Sequence, residues 1–378
     1  MNYLNISYHR LLILKALSLA VFILLFGASI SSHAQNFNGW KTDLTKKSID
    51  LSELISGGPP KDGIPSIDDP NFISIKHANE WVEASEPVIA FELNGIARAY
   101  PLQVLIWHEI VNDQIGDTPL LITFCPLCYS AIVFDRRINN ETHEFGVSGF
   151  LRHSDMIMFD RKTESLWQQF TGEAIVGKYT GKTLKILPSQ IMSFKQFSET
   201  YPNGKILSKE TGYNRSYGQN PYAGYDNVNN TPFFMNEPQD GRLKPMQKVI
   251  GIQLDSLQKA YPYSVTKDKI VINDDIGQKP VVIFHTKGAR SAMDAARISQ
   301  SRKDGTTGAF SRVVDDQILT FTHTNNIITD NQTGSRWDIS GKAVSGPLEG
   351  KLLKPLISGD YFAFAWLVFW PETEIYQN

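Results

Sequence analysis

The sequence predicts a mainly β protein with a minor α component, organised as two tandem homologous β-barrel or β-sandwich-like units with one short helix each. Three observations predict it. A long stretch of the chain repeats, and the apolar runs are short, β-branched and bounded by turn residues. The composition, 42% hydrophobic and 20% charged over 378 residues, supplies a sizeable core without the bias of a disordered or fibrous chain.

The repeat carries most weight. Val88-Ile-Ala-Phe-Glu-Leu-Asn-Gly-Ile-Ala-Arg-Ala-Tyr-Pro101 returns as Val249-Ile-Gly-Ile-Gln-Leu-Asp-Ser-Leu-Gln-Lys-Ala-Tyr-Pro262, at an offset of 161. Asp160, Thr163, Ser165 and Trp167 meet Asp330, Thr333, Ser335 and Trp337 at an offset of 170, a drift that loop insertions explain. These matches set a first copy over 84–208 and a second over 246–378, joined by an irregular connector over 209–245. An N-terminal extension covers 35–83.

Residues 1–34 read as a signal peptide. His9, Arg10 and Lys15 precede an apolar run from Ala16 to Phe26, and Ser32-His33-Ala34 places small residues before a cleavage point at Gln35. The run is shorter than the roughly 20 residues a bilayer requires. The predicted location is therefore extracytoplasmic, periplasmic or secreted, with no stable membrane span after cleavage. The turn-rich stretch Gly57 to Pro70 is expected to pack along the first copy.

Within the first copy, Val88–Leu93 and Ile96–Tyr100 flank Asn94-Gly95, the strongest short hairpin signal, because both turn residues need positive φ. Leu120–Phe124 and Ala131–Phe134 are strands on either side of a cysteine pair. Met156–Phe159 and Leu166–Phe170 surround a polar turn, as Ile327–Thr329 and Arg336–Ile339 do in the second copy. Phe194, Phe197 and Tyr201 recur at helical spacing before Pro202. The segment Tyr361–Trp370, apolar all round and too short to span a bilayer, predicts a helix buried between the copies. A net charge of -2 gives no general attraction to nucleic acid.

Cys125 and Cys128 are the only cysteines. At this spacing they can hold a metal ion, form a redox dithiol or close a structural disulfide. A β-like run rather than a helix follows Cys128, so the pair reads as a strand-to-strand knuckle and lacks the helix dipole that activates thioredoxin-like thiols. Two sulfurs do not complete a tetrahedral zinc site, so His108 is the expected third ligand, with Glu109, His153, Asp155 and His285 as secondary candidates. Thiolate and imidazole ligands favour copper(I) or zinc. In the repeat register Thr286 and Ala289 stand where the cysteines do, and His285 matches Phe124, so the fold tolerates loss of the thiols. Asp135, Asp160, Glu164 and Glu173 read as turn and surface groups, and Tyr213, Tyr217, Tyr222 and Tyr225 as anchors of the connector. The leading reading is an exported, soluble protein that binds a soft metal ion, copper or zinc. A thiol-disulfide oxidoreductase and a structural or carbohydrate-binding surface protein are the alternatives.

Phe124-Cys-Pro-Leu-Cys128, Trp107-His-Glu-Ile-Val-Asn-Asp113, Ser165-Leu-Trp167-Gln168 and Gly334-Ser-Arg-Trp337 together resemble an uncharacterised bacterial family, domain of unknown function 3179. The resemblance covers nearly all of the mature chain and implies no mechanism. It implies that Cys125, Cys128, His108 and Glu109 belong to the family pattern and that His153 departs from it.

Overall fold

The computed structural model describes residues 37–235 and 237–377, so the signal peptide expected over 1–34 lies outside the described residues. In the first copy the framework runs β1 (Pro87–Leu93), β2 (Ile96–Pro101), α1 (Leu102–His108), β3 (Ile110–Ile115), β4 (Thr118–Cys125), β5 (Ser130–Asp135), β6 (Phe145–Arg152), β7 (Asp155–Asp160), β8 (Leu166–Gln168), β9 (Ala174–Val176), β10 (Gln190–Ser193), α2 (Phe194–Thr200) and β11 (Lys205–Leu207). The second copy repeats it as β12 (Lys248–Leu254), β13 (Leu257–Pro262), α3 (Tyr263–Lys269), β14 (Val271–Ile276), β15 (Lys279–Thr286), β16 (Thr306–Ser311), β17 (Phe321–Thr324), β18 (Ile327–Asp330), β19 (Arg336–Trp337), β20 (Ala343–Ser345), β21 (Ile357–Phe362), α4 (Ala363–Phe369) and β22 (Glu374–Ile375).

Strand pairing repeats with the elements. β1 and β2 pair Val88 with Pro101, and β12 and β13 pair Val249 with Pro262 in the same register. Asn94 and Gly95 take φ of 53° and 81°, as the hairpin signal requires. Each copy holds a sheet ordered β10-β1-β2-β11 or β21-β12-β13-β22, a second ordered β3-β4-β5 or β14-β15-β16, and a third ordered β6-β7-β8-β9 or β17-β18-β19-β20. Short edge strands at 55–56, 72–74 and 185–187 extend the first copy's sheets. Among the described residues no sheet closes on itself, so the small open sheets of each copy are not a barrel.

The expectation of one helix per copy needs correction, because each copy has two. Both copies place a seven-residue helix, α1 or α3, directly after the second strand's terminal proline. In α1, Leu102 to Ile106 and His108 are buried on every side, so its sequence shows no one-sided period to read. The later helices α2 and α4 fall where the aromatic spacing and the apolar run place them, although residues 357–362 of that run's approach are strand.

The main core crosses from one copy to the other. It joins Phe124, Trp167 and Phe170 of the first copy to Tyr361, Phe364 and Trp366 of the second. Phe369 stacks on Phe170 with ring centroids 4.6 Å apart. Trp366 fills the space over Gly251, where a Cβ would lie 2.3 Å from its ring. The described residues of the connector carry no helix or strand and are tied down by hydrogen bonds: the Asn220 N–H donates to the Ala296 carbonyl at 2.8 Å and the Gly224 N–H to that of Asp294 at 2.6 Å. Ahead of the first copy, the Asp62 N–H donates to Val147 and the Ile67 N–H to Ile110, both at 2.9 Å, which lays this turn-rich segment along the first copy as expected. Among the described residues no helix is long and apolar enough to cross a membrane.

Candidate functional site

β4 and β5 pair through Cys125 and Ser130, so residues 126–129 form a tight knuckle. The Tyr129 N–H closes it on the Pro126 carbonyl at 3.2 Å. Tyr129 takes a φ of 55°, a left-handed conformation that costs a bulky L-residue roughly 1–2 kcal/mol. Its surroundings hold it there. The Lys248 Nζ lies 3.4 Å from its ring centroid, and the Phe362 ring packs 5.6 Å away. The Phe362 N–H donates to the Cys128 carbonyl at 3.0 Å, and the Tyr225 hydroxyl to that of Leu127 at 3.2 Å. The second copy and the connector thus clamp the first copy's knuckle. Both cysteines are free thiols and buried.

Asp155 enters from the next sheet. It opens β7 after a two-residue turn in which His153 and Ser154 take φ of 53° and 65°. The second copy makes the same turn with Asn325 and Asn326, residues suited to that conformation, and puts Ile327 where Asp155 stands. The Asp155 Oδ2 accepts from Gln168 Nε2 at 2.6 Å and from the Phe170 N–H at 2.9 Å. Its Oδ1 is buried with no hydrogen-bond partner. The Cys125 Sγ, the Cys128 Sγ and a carboxylate oxygen of Asp155 lie within 4.8 Å of one another.

Glu109 caps α1 with a φ of 59°, and Ile270 does the same in the second copy at 60°. The backbone turn belongs to the fold, whereas the carboxyl belongs to the first copy alone. Glu109 is 7% exposed, and among the described residues no donor hydrogen-bonds its carboxylate. Burial, with Asp155 nearby, pushes its carboxyl up to about 8. Burial raises Asp155 to about 7 against the lowering effect of its Gln168 and Phe170 donors and of the two thiols, and it also raises both thiols. Burial thus disfavours the charged form of all four groups, and a cation among them would favour it.

The family model described as Protein of unknown function (DUF3179) matches residues 61–373, the greater part of the sequence. The chain belongs to the DUF3179 family. Neither a curated protein nor a solved structure matches it.

The motifs of this DUF3179 chain divide between site and scaffold. His108, the expected third ligand, does not join the thiols: its Nδ1 lies 2.7 Å from the Pro65 carbonyl and its Nε2 2.7 Å from the Tyr217 hydroxyl, so both ring nitrogens are engaged. Its neighbour Glu109 faces the site instead. His153 shapes the turn before Asp155, with its Nδ1 2.7 Å from the Glu237 carboxylate and its ring against Phe369. His285 sits in the second copy between the Thr266 hydroxyl at 2.9 Å and the Asp304 carbonyl at 3.2 Å. The Asp160 carboxylate accepts from Trp167 Nε1 at 3.2 Å and from the Ser165 N–H at 3.1 Å, and Asp330 repeats this with Trp337 and Ser335 at 3.0 and 3.1 Å. An identical network in the copy without thiols marks it as scaffold.

Ala289 does not occupy the place of Cys128, as the uniform offset implied. β15 and β16 pair Thr286 with Thr306, so residues 287–305 of the second copy replace the four-residue knuckle of the first. Sequence reasoning also missed Gln168, which orients Asp155, and ranked Asp155 too low. The signal was present in the repeat, where His-Ser-Asp of the first copy stands against Asn-Asn-Ile of the second.

Proposed function

We propose that this protein binds one borderline divalent cation of the zinc class through Cys125, Cys128 and Asp155, and that it does so outside the cytoplasm after loss of the signal peptide read in residues 1–34. The observation that carries the proposal is the meeting, within 4.8 Å, of two buried free thiols and a buried carboxylate whose Oδ1 has no donor. Burial disfavours the charged forms of these groups, and a cation at their meeting point would offset that cost by taking the place of their protons. A donor set of two sulfurs and one oxygen favours zinc over copper(I), because copper(I) prefers soft donors throughout and gains nothing from a carboxylate.

The thiol-disulfide reading draws less support. Exchange needs an accessible thiolate, whereas Cys128 is fully buried and burial raises both thiols. Protein purified without chelators is expected to carry about one zinc per chain by elemental analysis. Cys125→Ser and Asp155→Ala are expected to lose that metal and His108→Gln to keep it. Unchanged stoichiometry in both ligand variants would defeat the proposal.

A further inference from the structure

A cavity of about 660 Å³ lies in the second copy at the place that the thiol site holds in the first. Thr286 ends β15 as Cys125 ends β4, Ile270 caps α3 as Glu109 caps α1, and Ile328 pairs with His323 as Met156 pairs with Leu151. Thr286, Ile270, Ile328 and His323 all line the cavity. Here the insertion at 287–305 stands in for the knuckle, and it brings Lys287 and Lys303 to the cavity wall, one from each of its ends. The start of α2 closes the opposite side. The Gln196 Nε2 donates to the Thr286 hydroxyl at 3.0 Å, and its Oε1 accepts from the Thr306 hydroxyl at 2.7 Å, which joins the two copies at the cavity wall. A Cβ at Gly288 would lie 2.3 Å from that Oε1, so the insertion passes this wall as glycine.

The carboxylates of the lining are already engaged. Glu199 faces Lys195 at 3.7 Å, and the Asp338 Oδ1 accepts from the Ser340 and Lys342 N–H groups at 2.9 and 3.1 Å. Lys287 and Lys303 are exposed and have no carboxylate partner among the described residues. The His323 Nε2 accepts from the Asn326 N–H at 2.9 Å, so the neutral ring carries its proton on Nδ1 and offers a third donor. We infer that this cavity is a second ligand site, independent of the thiol site, that takes a small organic dianion with its oxyanion group between Lys287 and Lys303. Two uncompensated cations and a donor complement negative charge. The volume falls within the about 300–1,000 Å³ of pockets that hold organic ligands and exceeds what a bare inorganic ion fills. Ile270, Ile328 and Ile339 give the carbon part of such a compound an apolar wall.

The test is isothermal titration of the purified full chain with glucose 6-phosphate, succinate, glucose and inorganic phosphate. At least one of the two organic dianions is expected to bind saturably at one site, about tenfold or more tightly than inorganic phosphate, and glucose is expected not to bind. Binding of glucose 6-phosphate assigns a phosphate monoester, and binding of succinate a dicarboxylate. Replacing both exposed lysines, Lys287→Gln with Lys303→Gln, is expected to weaken that binding about tenfold, while Lys279→Gln with Lys351→Gln, which removes the same charge elsewhere on the second copy, is expected to change it less than about twofold. Absence of saturable binding by both organic dianions would overturn the inference. Inorganic phosphate bound as tightly as either would overturn the organic ligand, and equal effects of the two lysine pairs would overturn the assignment to this cavity.

Discussion

Asp155 is held by Gln168 and the Phe170 N–H on one oxygen, which fixes its carboxylate beside the two sulfurs. Donors of this kind orient a ligand, and their loss typically lowers metal affinity by about 10–100-fold. Gln168→Leu is expected to weaken zinc binding by that factor in competition with a chromophoric chelator, and a change below about twofold would show that Asp155 needs no such support. His285 offers a separate check on the second copy. Burial, with Lys267 nearby, pushes its imidazole down to about 4 from an ordinary 6.5. The folded chain therefore refuses a proton that the unfolded chain accepts below pH 6.5, so this residue's contribution is complete above pH 6.5 and is lost as pH falls to about 4. Over that interval the wild type should lose up to about 3 kcal/mol more stability than His285→Gln, measured by denaturant unfolding at each pH. The cysteines were legible as a site because they are the only two. His108 was not legible as scaffold, since its partners Pro65 and Tyr217 are remote in sequence and a satisfied buried imidazole is spelled like a ligand.

Among the elements, the knuckle depends on parts far from it in the chain. Lys248 at the start of β12 lies over the Tyr129 ring and donates to Asp304 at 2.6 Å, with both charged side chains almost wholly buried. Asp304 also keeps the Arg302 Nε at 3.0 Å and the Lys267 Nζ at 3.8 Å, so removing Lys248 leaves that charge partly compensated and costs less than the about 3–5 kcal/mol of a lone buried pair. Lys248→Met is expected to lower stability by about 1.5–3 kcal/mol, the loss of one hydrogen bond to a charged group, and a shift under about 0.5 kcal/mol in the denaturant midpoint analysis would mean that Arg302 and Lys267 compensate Asp304 fully. Period-based reading found α2 because Phe194 and Phe197 bury one face. It missed α1 because a helix buried on all sides has no polar face to set a period. The insertion at 287–305 escaped it because an ungapped offset carries no information about loop length.

Across the whole molecule, the duplication was legible from the shared register of β1–β2 and β12–β13, and the apolar run Tyr361–Trp370 announced a helix between the copies, but its partners Phe124, Trp167 and Phe170 were not legible, since no sequence pattern states which faces of two copies meet. A core that joins Phe170 of one copy to Trp366 and Phe369 of the other ties their stabilities together. The two copies are expected to unfold in one transition with equal calorimetric and van't Hoff enthalpies, and two resolved transitions would contradict this. Zinc at about a thousand times its dissociation constant should add about 4 kcal/mol to that single transition by mass action, although the ion touches only the first copy. The most direct test of the central claim is X-ray absorption at the zinc edge of the loaded protein. Two sulfur scatterers at about 2.3 Å with oxygen at about 2.0–2.2 Å is the predicted shell, and a shell without sulfur, or with imidazole in place of oxygen, would contradict the site of Cys125, Cys128 and Asp155.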